Sequence, residues 1–287
     1  MKPRHLLLLV IAFAAGTIAS AAEKIIRDVT FAEVQGVPLK LDLYLPATPT
    51  PAGLIVWVHG GAWRAGSRAS VDVRGLVERN WAIASVDYRL STVARFPAQV
   101  HDIKAAIRFL RAHAGDYGYP ANRFVIAGSS AGAHLAALVG VTSGVAELEG
   151  NEGEFSKESS AVQAIVDLYG ASDLTTILGQ STPHGLAMRA PALELLLGAE
   201  PDAKPELARL ASPVFQVDPN DPPLLLLHGD RDPQMPINQA HELQGVYEKS
   251  GLPVVFKVLH GSGHGGPAFT DAASLTLIDT FLRQHLK

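Results

Sequence analysis

The sequence predicts an α/β fold in which a mostly parallel central sheet carries helices on both faces. Short continuous apolar runs recur along the chain, and stretches with a helical spacing of apolar residues lie between them. Strands buried on both faces require such runs, and their alternation with helices is typical of parallel sheets. Hydrophobic residues make up 47 % of the 287 residues and the net charge is only −4, which excludes an intrinsically disordered chain.

The amino-terminal segment differs from the rest and predicts a secretory signal peptide. Lys2 and Arg4 precede an apolar stretch, and Ala19-Ser20-Ala21 matches an A-x-A cleavage site. The apolar stretch is shorter than the roughly 20 residues that a bilayer span requires, which argues against the alternative, a membrane anchor. We therefore expect removal of residues 1–21, a secreted or periplasmic protein, and no integral membrane segment after cleavage.

The predicted strands follow in order. Two stretches with alternating apolar and polar side chains, residues 25–34 and 37–45, flank Gln35-Gly36 and predict an antiparallel hairpin. Six continuous apolar runs then predict buried strands, over residues 54–58, 83–86, 124–127, 165–168, 224–227 and 254–259.

Helices are predicted between these strands. Ile103, Ala106, Ile107 and Leu110 keep the i, i+3, i+4, i+7 spacing of one helix face. Three further helices are predicted over residues 131–142, 236–250 and 270–286.

A proline-rich segment over residues 174–223 interrupts the alternation. It predicts a small insertion after the sixth strand, lying over the carboxyl edge of the sheet, with a helix over residues 191–197. Since no linker divides the chain, we expect one domain over residues 22–287.

A pentapeptide of the G-x-S-x-G type, Gly128 to Gly132, indicates a nucleophilic serine at Ser130. It directly follows a predicted strand and directly precedes a predicted helix, which is the context of a nucleophile elbow. The alternative interpretation is an ordinary serine at a helix N-terminus. Ser129 is out of frame for the motif and is expected to be structural.

A serine hydroxyl needs a base to become a good nucleophile, and His264 is the candidate. It lies in the glycine-rich segment Gly261-Ser262-Gly263-His264-Gly265-Gly266, directly after the last predicted strand. A flexible loop at that place can bring an imidazole over the nucleophile. His260, at the end of the strand, is the second candidate.

The carboxylate that orients this histidine is expected in the loop after the penultimate strand, because the chain order in this architecture is serine, acid, histidine. That loop contains Asp230 and Asp232. We assign Asp232 to hold the imidazole in the correct tautomer. Asp230 is interpreted as a turn former.

The developing oxyanion needs N–H donors that are already in place. His59-Gly60-Gly61-Ala62-Trp63 follows the first buried strand and resembles an HGG-type oxyanion motif. We assign the N–H groups of Gly61 and Ala62, with that of Ala131 after the nucleophile, to this role. Trp63 is expected to lie near the acyl site and contact substrate; the alternative is a position in the core.

Composition limits the remaining classes. The chain has no cysteine, which excludes disulfide scaffolds and cysteine-based zinc sites, and its isoelectric point near 6.2 argues against a nucleic-acid partner. A catalytic triad needs no metal and no organic cofactor, and we expect neither. The expected partner is a small-molecule or polysaccharide-linked ester.

Motifs along nearly the whole mature chain resemble an α/β-hydrolase of the bacterial feruloyl esterase and acetyl-xylan-esterase-like group, which is related to hormone-sensitive-lipase-type carboxylesterases. The resemblance is carried by the segments Asp42-Leu43-Tyr44-Leu45-Pro46, His59-Gly60-Gly61-Ala62-Trp63, Asp87-Tyr88-Arg89-Leu90, Phe96-Pro97-Ala98, Gly128 to Gly132, Tyr169-Gly170-Ala171-Ser172-Asp173-Leu174, His228-Gly229-Asp230-Arg231-Asp232-Pro233 and Gly263-His264-Gly265.

The resemblance implies the same triad and the same oxyanion donors, with Asp87-Tyr88-Arg89 bracing the oxyanion loop. The chain departs from its relatives at Met235, where valine is common, and this residue is expected to shape the leaving-group side of the site. The resemblance implies a secreted serine carboxylic-ester hydrolase acting on short acyl or feruloyl esters of plant cell-wall polysaccharide. The alternatives are a serine peptidase of the prolyl-oligopeptidase-like type and a non-catalytic binding protein.

Overall fold

The computed structural model describes residues 23–286. Within this range one mixed sheet has eight strands: β1 (Lys24–Val34), β2 (Val37–Leu45), β3 (Leu54–Val58), β4 (Ala82–Val86), β5 (Phe124–Ser129), β6 (Ala164–Leu168), β7 (Leu224–Gly229) and β8 (Val254–Leu259). Every predicted strand is present, and the bounds differ from the predictions by two residues at most. The predicted leader lies outside the described residues.

The sheet has the strand order β1-β2-β4-β3-β5-β6-β7-β8. β1 pairs antiparallel with β2, and β2 pairs antiparallel with β4. All pairs from β4 to β8 are parallel. The fold is therefore an α/β-hydrolase fold with a mostly parallel sheet, as predicted.

Nine α-helices lie within the described residues: α1 (Ala98–Ala112), α2 (Ala114–Tyr117), α3 (Ala131–Gly140), α4 (Ala146–Glu149), α5 (Ile177–Gln180), α6 (Pro183–Leu197), α7 (Pro205–Leu210), α8 (Asn238–Lys249) and α9 (Ala272–His285). Short 3-10 helices occupy Arg74–Leu76, Pro201–Ala203, Pro213–Phe215 and Pro267–Phe269. No helix among the described residues combines the length and apolar character that a membrane crossing would need.

Two hydrophobic cores cover the two faces of the sheet. In β3, Val56 and Val58 belong to one core, and Ile55 and Trp57 belong to the other. Helices α1, α3 and α8 contribute to the first core and α9 contributes to the second. Because successive side chains of a strand point to opposite faces, the continuous apolar runs of the sequence are what this two-sided burial requires.

The segment between β6 and β7 has more helix than predicted, since α5 and α7 also lie there, and its one predicted helix begins earlier. Residues 191–197 were expected to form a helix that starts at Pro191, but α6 begins at Pro183 and contains Pro191. Thr182 caps the true start, since its hydroxyl accepts a hydrogen bond from the N–H of Gly185 at 3.0 Å. The extra two turns bring Met188 and Arg189 to the carboxyl edge of the parallel strands, beside the cavity described below.

Candidate active site

Ser130 lies in the turn between β5 and α3, in a strained backbone conformation. Its φ of 54° and ψ of −118° are unusual for a residue with a side chain. The flanking glycines permit this turn, because a Cβ on Gly128 would lie 2.4 Å from the backbone of Gly132 and a Cβ on Gly132 would lie 2.1 Å from the carbonyl oxygen of Val58. The predicted strand, tight turn and helix are therefore present.

Three side chains predicted from separate segments meet at this turn. The Nε2 atom of His264 lies 2.8 Å from Oγ of Ser130, and its Nδ1 atom lies 2.7 Å from Oδ2 of Asp232. The other carboxylate oxygen, Oδ1, accepts hydrogen bonds from the backbone N–H groups of Gln234 and Met235, both at 2.8 Å. The carboxylate is thus fixed at both oxygens.

The charge of Asp232 determines the tautomer of His264. Burial alone would raise the pKa of Asp232, but hydrogen bonds from His228 and His264 together hold it below its usual range. An ionised carboxylate only accepts hydrogen bonds, so Nδ1 of His264 carries the proton. Its Nε2 atom is then free to accept the proton of the Ser130 hydroxyl.

A second histidine supports the acid from behind. Nε2 of His228 donates to the carbonyl oxygen of Met235 at 3.0 Å and lies 3.5 Å from Oδ2 of Asp232. Both His228 and Asp232 have side chains that are 1 % exposed. The motif at the end of β7 includes His228, but the sequence alone does not place this side chain beside the acid.

The loop after β3 approaches the nucleophile with its backbone. Gly61, Ala62 and Trp63 have consecutive positive φ values of 112°, 52° and 59°. Within residues 23–286, the N–H groups of Gly61 and Ala62 donate to no acceptor. Gly61, Ala62 and Ala131 line the same cavity as Ser130. Gly61 is exposed to the cavity and Ala62 is half-buried beside it, so these unpaired N–H groups are available to a ligand oxygen.

This loop is braced as the resemblance implied. The Tyr88 hydroxyl donates to the carbonyl oxygen of His59 at 3.1 Å, and the two rings stack with centroids 4.5 Å apart. The N–H of Ser91 donates to the carbonyl oxygen of Trp63 at 2.8 Å. The segment after β4 therefore holds both ends of the turn.

A cavity of about 550 Å³ opens between this loop, the nucleophile turn and α6. Its volume is in the range of sites that hold one small-molecule ligand. Tyr169, which sequence reasoning did not assign, lines it and packs edge-on against His264 with ring centroids 4.8 Å apart. Burial raises the pKa of Tyr169 to about 12, so its hydroxyl stays protonated at neutral pH.

The second candidates for base and acid lie apart from Ser130. His260 and Asp230 bind each other, with Nδ1 of the histidine 2.8 Å from Oδ2 of the aspartate, on the protein surface. The carboxylate of Asp230 also accepts a hydrogen bond from the N–H of Gly261 at 2.7 Å, in the loop after β8, and not from its own loop as the turn-former interpretation expected. Ser129 is 6 % exposed and ends β5.

The two residues expected near the substrate differ in their placement. Trp63 lines the cavity, as expected, but it is only 1 % exposed, and its indole Nε1 donates to Nδ1 of the buried His134 at 3.1 Å. Met235 is also 1 % exposed and does not line the cavity. The expectation that Met235 shapes the leaving-group side is therefore wrong, because this residue acts through its backbone contacts with Asp232 and His228.

No group of three or more histidine, aspartate or glutamate side chains in the described part of the chain is arranged to hold a metal ion. The triad and the N–H donors form a site that could attack a carbonyl carbon and stabilise the resulting oxyanion.

Comparison with known proteins places this geometry in context. The solved structure of a truncated carbohydrate esterase from gut microbiota superposes with a TM-score of 0.84 at 30 % identity, covering 93 % of this chain and 98 % of that chain. A thermophilic esterase from Thermogutta terrifontis superposes with a TM-score of 0.72 at 27 % identity, covering 93 % and 94 %. Esterase LipC of Mycobacterium tuberculosis is 34 % identical over 228 residues, which is 77 % of this chain and 54 % of the relative. The chain spans about half the length of the curated relatives it matches.

Fold and relatives define the class of this protein as the carboxylesterase group of the α/β-hydrolases. The family model described as BD-FAE matches residues 41–247, from within β2 to the last turn of α8. The chain belongs to the BD-FAE family.

Proposed function

We propose that this protein is a serine carboxylic-ester hydrolase with Ser130 as nucleophile, His264 as base and Asp232 as the orienting acid. The observation that carries the proposal is the continuous chain of contacts from Asp232 through His264 to Ser130, at 2.7 and 2.8 Å. Nucleophile and base at such distances, with the base oriented by a third group, are the signature of covalent catalysis.

The proposed reaction has two stages. Oγ of Ser130 attacks the ester carbonyl carbon while its proton moves to Nε2 of His264. The N–H groups of Gly61, Ala62 and Ala131 then bind the oxyanion. His264 gives the proton to the departing alkoxide, leaving an acyl group on Ser130. In the second stage His264 takes a proton from water, which attacks the acyl carbon. The bond between the acyl carbon and Oγ of Ser130 then breaks, His264 returns the proton to Oγ, and the acid is released.

Solved relatives support a serine mechanism and a short acyl group. One structure of the Thermogutta terrifontis esterase is described as propionate-bound, and another is described as phosphorylated by paraoxon. Organophosphates of this kind react with activated serines. Together with the gut carbohydrate esterase, these relatives support hydrolysis of short acyl esters, including those on carbohydrate. The feruloyl esters of plant cell-wall polysaccharide belong to the proposal through the resemblance of the sequence motifs alone.

The signal-peptide pattern supports a secreted or periplasmic enzyme, where polysaccharide esters from outside the cell would be met. We expect the protein recovered outside the cytoplasm to begin near Ala22. Amino-terminal sequencing of that material checks this expectation, and an intact leader would contradict it.

Initial rates on a panel of esters test the function. The panel contains 4-nitrophenyl acetate, butyrate and octanoate, methyl ferulate, acetylated xylan and an aminoacyl-anilide, each measured with the wild-type protein, Ser130→Ala and Ser129→Ala. We expect turnover of short esters that Ser130→Ala abolishes and Ser129→Ala retains. Cleavage of the anilide without cleavage of the esters would favour the peptidase alternative and contradict the proposal.

A further inference from the structure

The cavity beside Ser130 carries positive charge and no compensating carboxylate on its walls. Arg64, from the loop after β3, and Arg189, from α6, both line it. Among the described residues that line the cavity, none is an aspartate or a glutamate. The chain as a whole has a net charge of −4, so the cavity differs in sign from the whole molecule.

Arg189 is buried to an extent that is unusual for an unpaired arginine. It is 7 % exposed, and no carboxylate lies within ion-pair distance of it in residues 23–286. Its Nη2 atom donates to the carbonyl oxygen of Gln234, and its Nε atom, which is shielded from solvent, has no acceptor. Burial lowers the pKa of Arg189 to about 10, so the guanidinium stays charged at neutral pH.

Holding such a charge away from water is costly unless it is paired. Removing a charged group from water is unfavourable, and a single backbone carbonyl offsets only part of that penalty. Asp232 raises the pKa of Arg189 through space, but that carboxylate is already bound by His264 and two backbone N–H groups. The hydrolysis of a neutral ester at Ser130 makes no use of the positive charge of Arg189.

Arg64 contributes a second positive charge to the wall of the same cavity. It follows Trp63 in the oxyanion loop, and its backbone N–H donates to the carbonyl oxygen of Gly61 at 3.1 Å, which fixes its Cα next to the oxyanion donors. Its side chain is partly exposed and forms no ion pair with any described residue. A carboxylate prefers guanidinium partners, because the planar fork of donors matches its two oxygens.

We propose that Arg189, assisted by Arg64, binds a carboxylate carried by the ester substrate, so that the enzyme prefers acidic esters over neutral ones. Acylated uronic-acid units of a polysaccharide carry a carboxylate on the alcohol part, and half-esters of diacids carry it on the acyl part. The shared chemistry is a carboxylate within one ligand length of the scissile ester. This inference rests on the proposed ester hydrolysis at Ser130.

Two matched pairs of esters separate these sources. In the first pair, 4-acetoxybenzoate is compared with 4-acetoxybenzamide, which replaces a carboxylate on the alcohol part by a neutral group of similar shape. In the second pair, the phenyl half-ester of adipic acid is compared with its terminal primary amide. We expect the acidic member to have the larger kcat/KM in at least one pair, and we expect added salt to reduce this preference.

Substitution of Arg189 assigns the preference to its residue. Arg189→Met should lower kcat/KM for the preferred acidic ester about 10- to 100-fold, mainly through KM, and change the neutral ester less than about 3-fold. Arg189→Lys keeps the positive charge but lacks the planar fork of donors, so its kcat/KM for the acidic ester should lie between those of the wild type and Arg189→Met. Arg209→Met removes an exposed arginine of α7 that stacks on Phe215 outside the cavity, and it should keep the preference because it makes the same change in net charge without touching the cavity wall.

The two failures are distinguishable. Equal rates on acidic and neutral esters, or an equal loss on both in Arg189→Met, would overturn the carboxylate site while the esterase function stands. Should no ester be hydrolysed, the function fails. Calorimetric titration with 4-hydroxybenzoate and with adipate then still tests the site, which predicts binding that Arg189→Met weakens. Equal binding by both proteins would overturn it.

Discussion

At the scale of single residues, the reactive group depends on a backbone conformation that its neighbours impose. Ser130 has a positive φ, and its N–H donates to the carbonyl oxygen of Leu168 at 2.9 Å. The close approach of Gly132 to Val58 leaves no space for a side chain. The strain at the nucleophile is therefore sustained by contacts between α3 and β3.

Gly132→Ala tests this dependence. The added methyl group would meet the carbonyl oxygens of Val58 and His59, so we expect a loss of stability of about 1–3 kcal/mol or more and a loss of esterase activity. Chemical denaturation and initial rates measure the two effects. Gly115→Ala is the control, because a Cβ there meets no atom within 4 Å. A Gly132→Ala variant with normal activity would contradict this account of the turn.

The two aspartates of the loop after β7 give a second residue-scale prediction. Asp232→Asn should lower kcat by roughly 10⁴-fold, because the amide favours the wrong tautomer of His264. Asp230→Asn should leave kcat nearly unchanged, since Asp230 pairs with the exposed His260 instead. Steady-state rates on a short 4-nitrophenyl ester compare the two variants. A larger loss in Asp230→Asn would show that the assignment of the acid is reversed.

The sequence predicts the side chains of this site better than their surroundings. Ser130, Asp232 and His264 each lie in a recognisable segment at the end of a strand, and parallel strands end at one edge. Tyr169 directly follows a predicted strand and opens a segment of the family resemblance, but the sequence assigns it no role, and Arg189 carries no such signal. Their relation to the cavity depends on the packing of α6 and of the turn after β6, which short-range patterns do not encode.

At the scale of elements, α4 is connected to α1 by a buried cation. Nζ of Lys104 lies 2.7 Å from Oε1 of Glu149, and the lysine side chain has no exposed surface. Burial lowers the pKa of Lys104, and the bonds from Lys104, Gly144 and Ser160 outweigh burial to lower the pKa of Glu149. This short helix therefore neutralises a charge within the main core.

Glu149→Gln should cost about 3–5 kcal/mol in the free energy of unfolding, because it leaves the buried Lys104 without an anion. Urea denaturation at neutral pH measures the loss. Glu147→Gln is the matched control on the same helix, where the side chain is exposed, and it should change stability by less than about 0.5 kcal/mol. Equal effects of the two substitutions would contradict the role of the pair.

Helix α6 shows where element prediction fails. Pro191 is a good first residue for a helix, but Thr182-Pro183 offers a capping hydroxyl as well as a proline at the first position. Both starts satisfy local rules, and tertiary contacts decide between them. The difference matters because the two turns missing from the prediction carry Met188 and Arg189 into the cavity wall.

At the scale of the whole molecule, the alternation of apolar runs and helices predicts the sheet, and the two cores explain why. The order of the strands is harder to predict from the sequence, because the hairpin β1–β2 joins the sheet through β4 and not through β3. Pairing partners at that distance depend on long-range packing.

Buried ionisable groups make the stability of the fold depend on pH, and two of them act with opposite signs.

His134 should make the fold less stable in acid. Burial lowers its pKa to about 4 from 6.5, and the unfolded chain therefore binds its proton at a higher pH than the folded chain does. Stability from this group is present above pH 6.5 and is lost as the pH falls towards 4. When the pH is lowered from 7 to 4.5, the free energy of unfolding of His134→Gln should fall by about 2–3 kcal/mol less than that of the wild type. Chemical denaturation at the two pH values measures the difference.

Asp167 should show the reverse dependence and serves as the comparison. Burial raises its pKa to about 6 from 3.8, so its contribution is present below pH 3.8 and is lost as the pH rises through 6. When the pH is lowered from 7 to 4.5, the free energy of unfolding of Asp167→Asn should therefore fall by about 2 kcal/mol more than that of the wild type. Shifts of the same sign in both variants would contradict these assignments.

The central claim is that Ser130 is a nucleophile activated by His264 and Asp232, and covalent labelling tests it most directly. The purified protein is treated with paraoxon, and peptide mapping by mass spectrometry locates the adduct. We expect one phosphorylated site, at Ser130, with labelling lost in Ser130→Ala, retained in Ser129→Ala and strongly slowed in Asp232→Asn. Equal labelling of Ser130→Ala and the wild type, or an adduct elsewhere in an active enzyme, would contradict the claim.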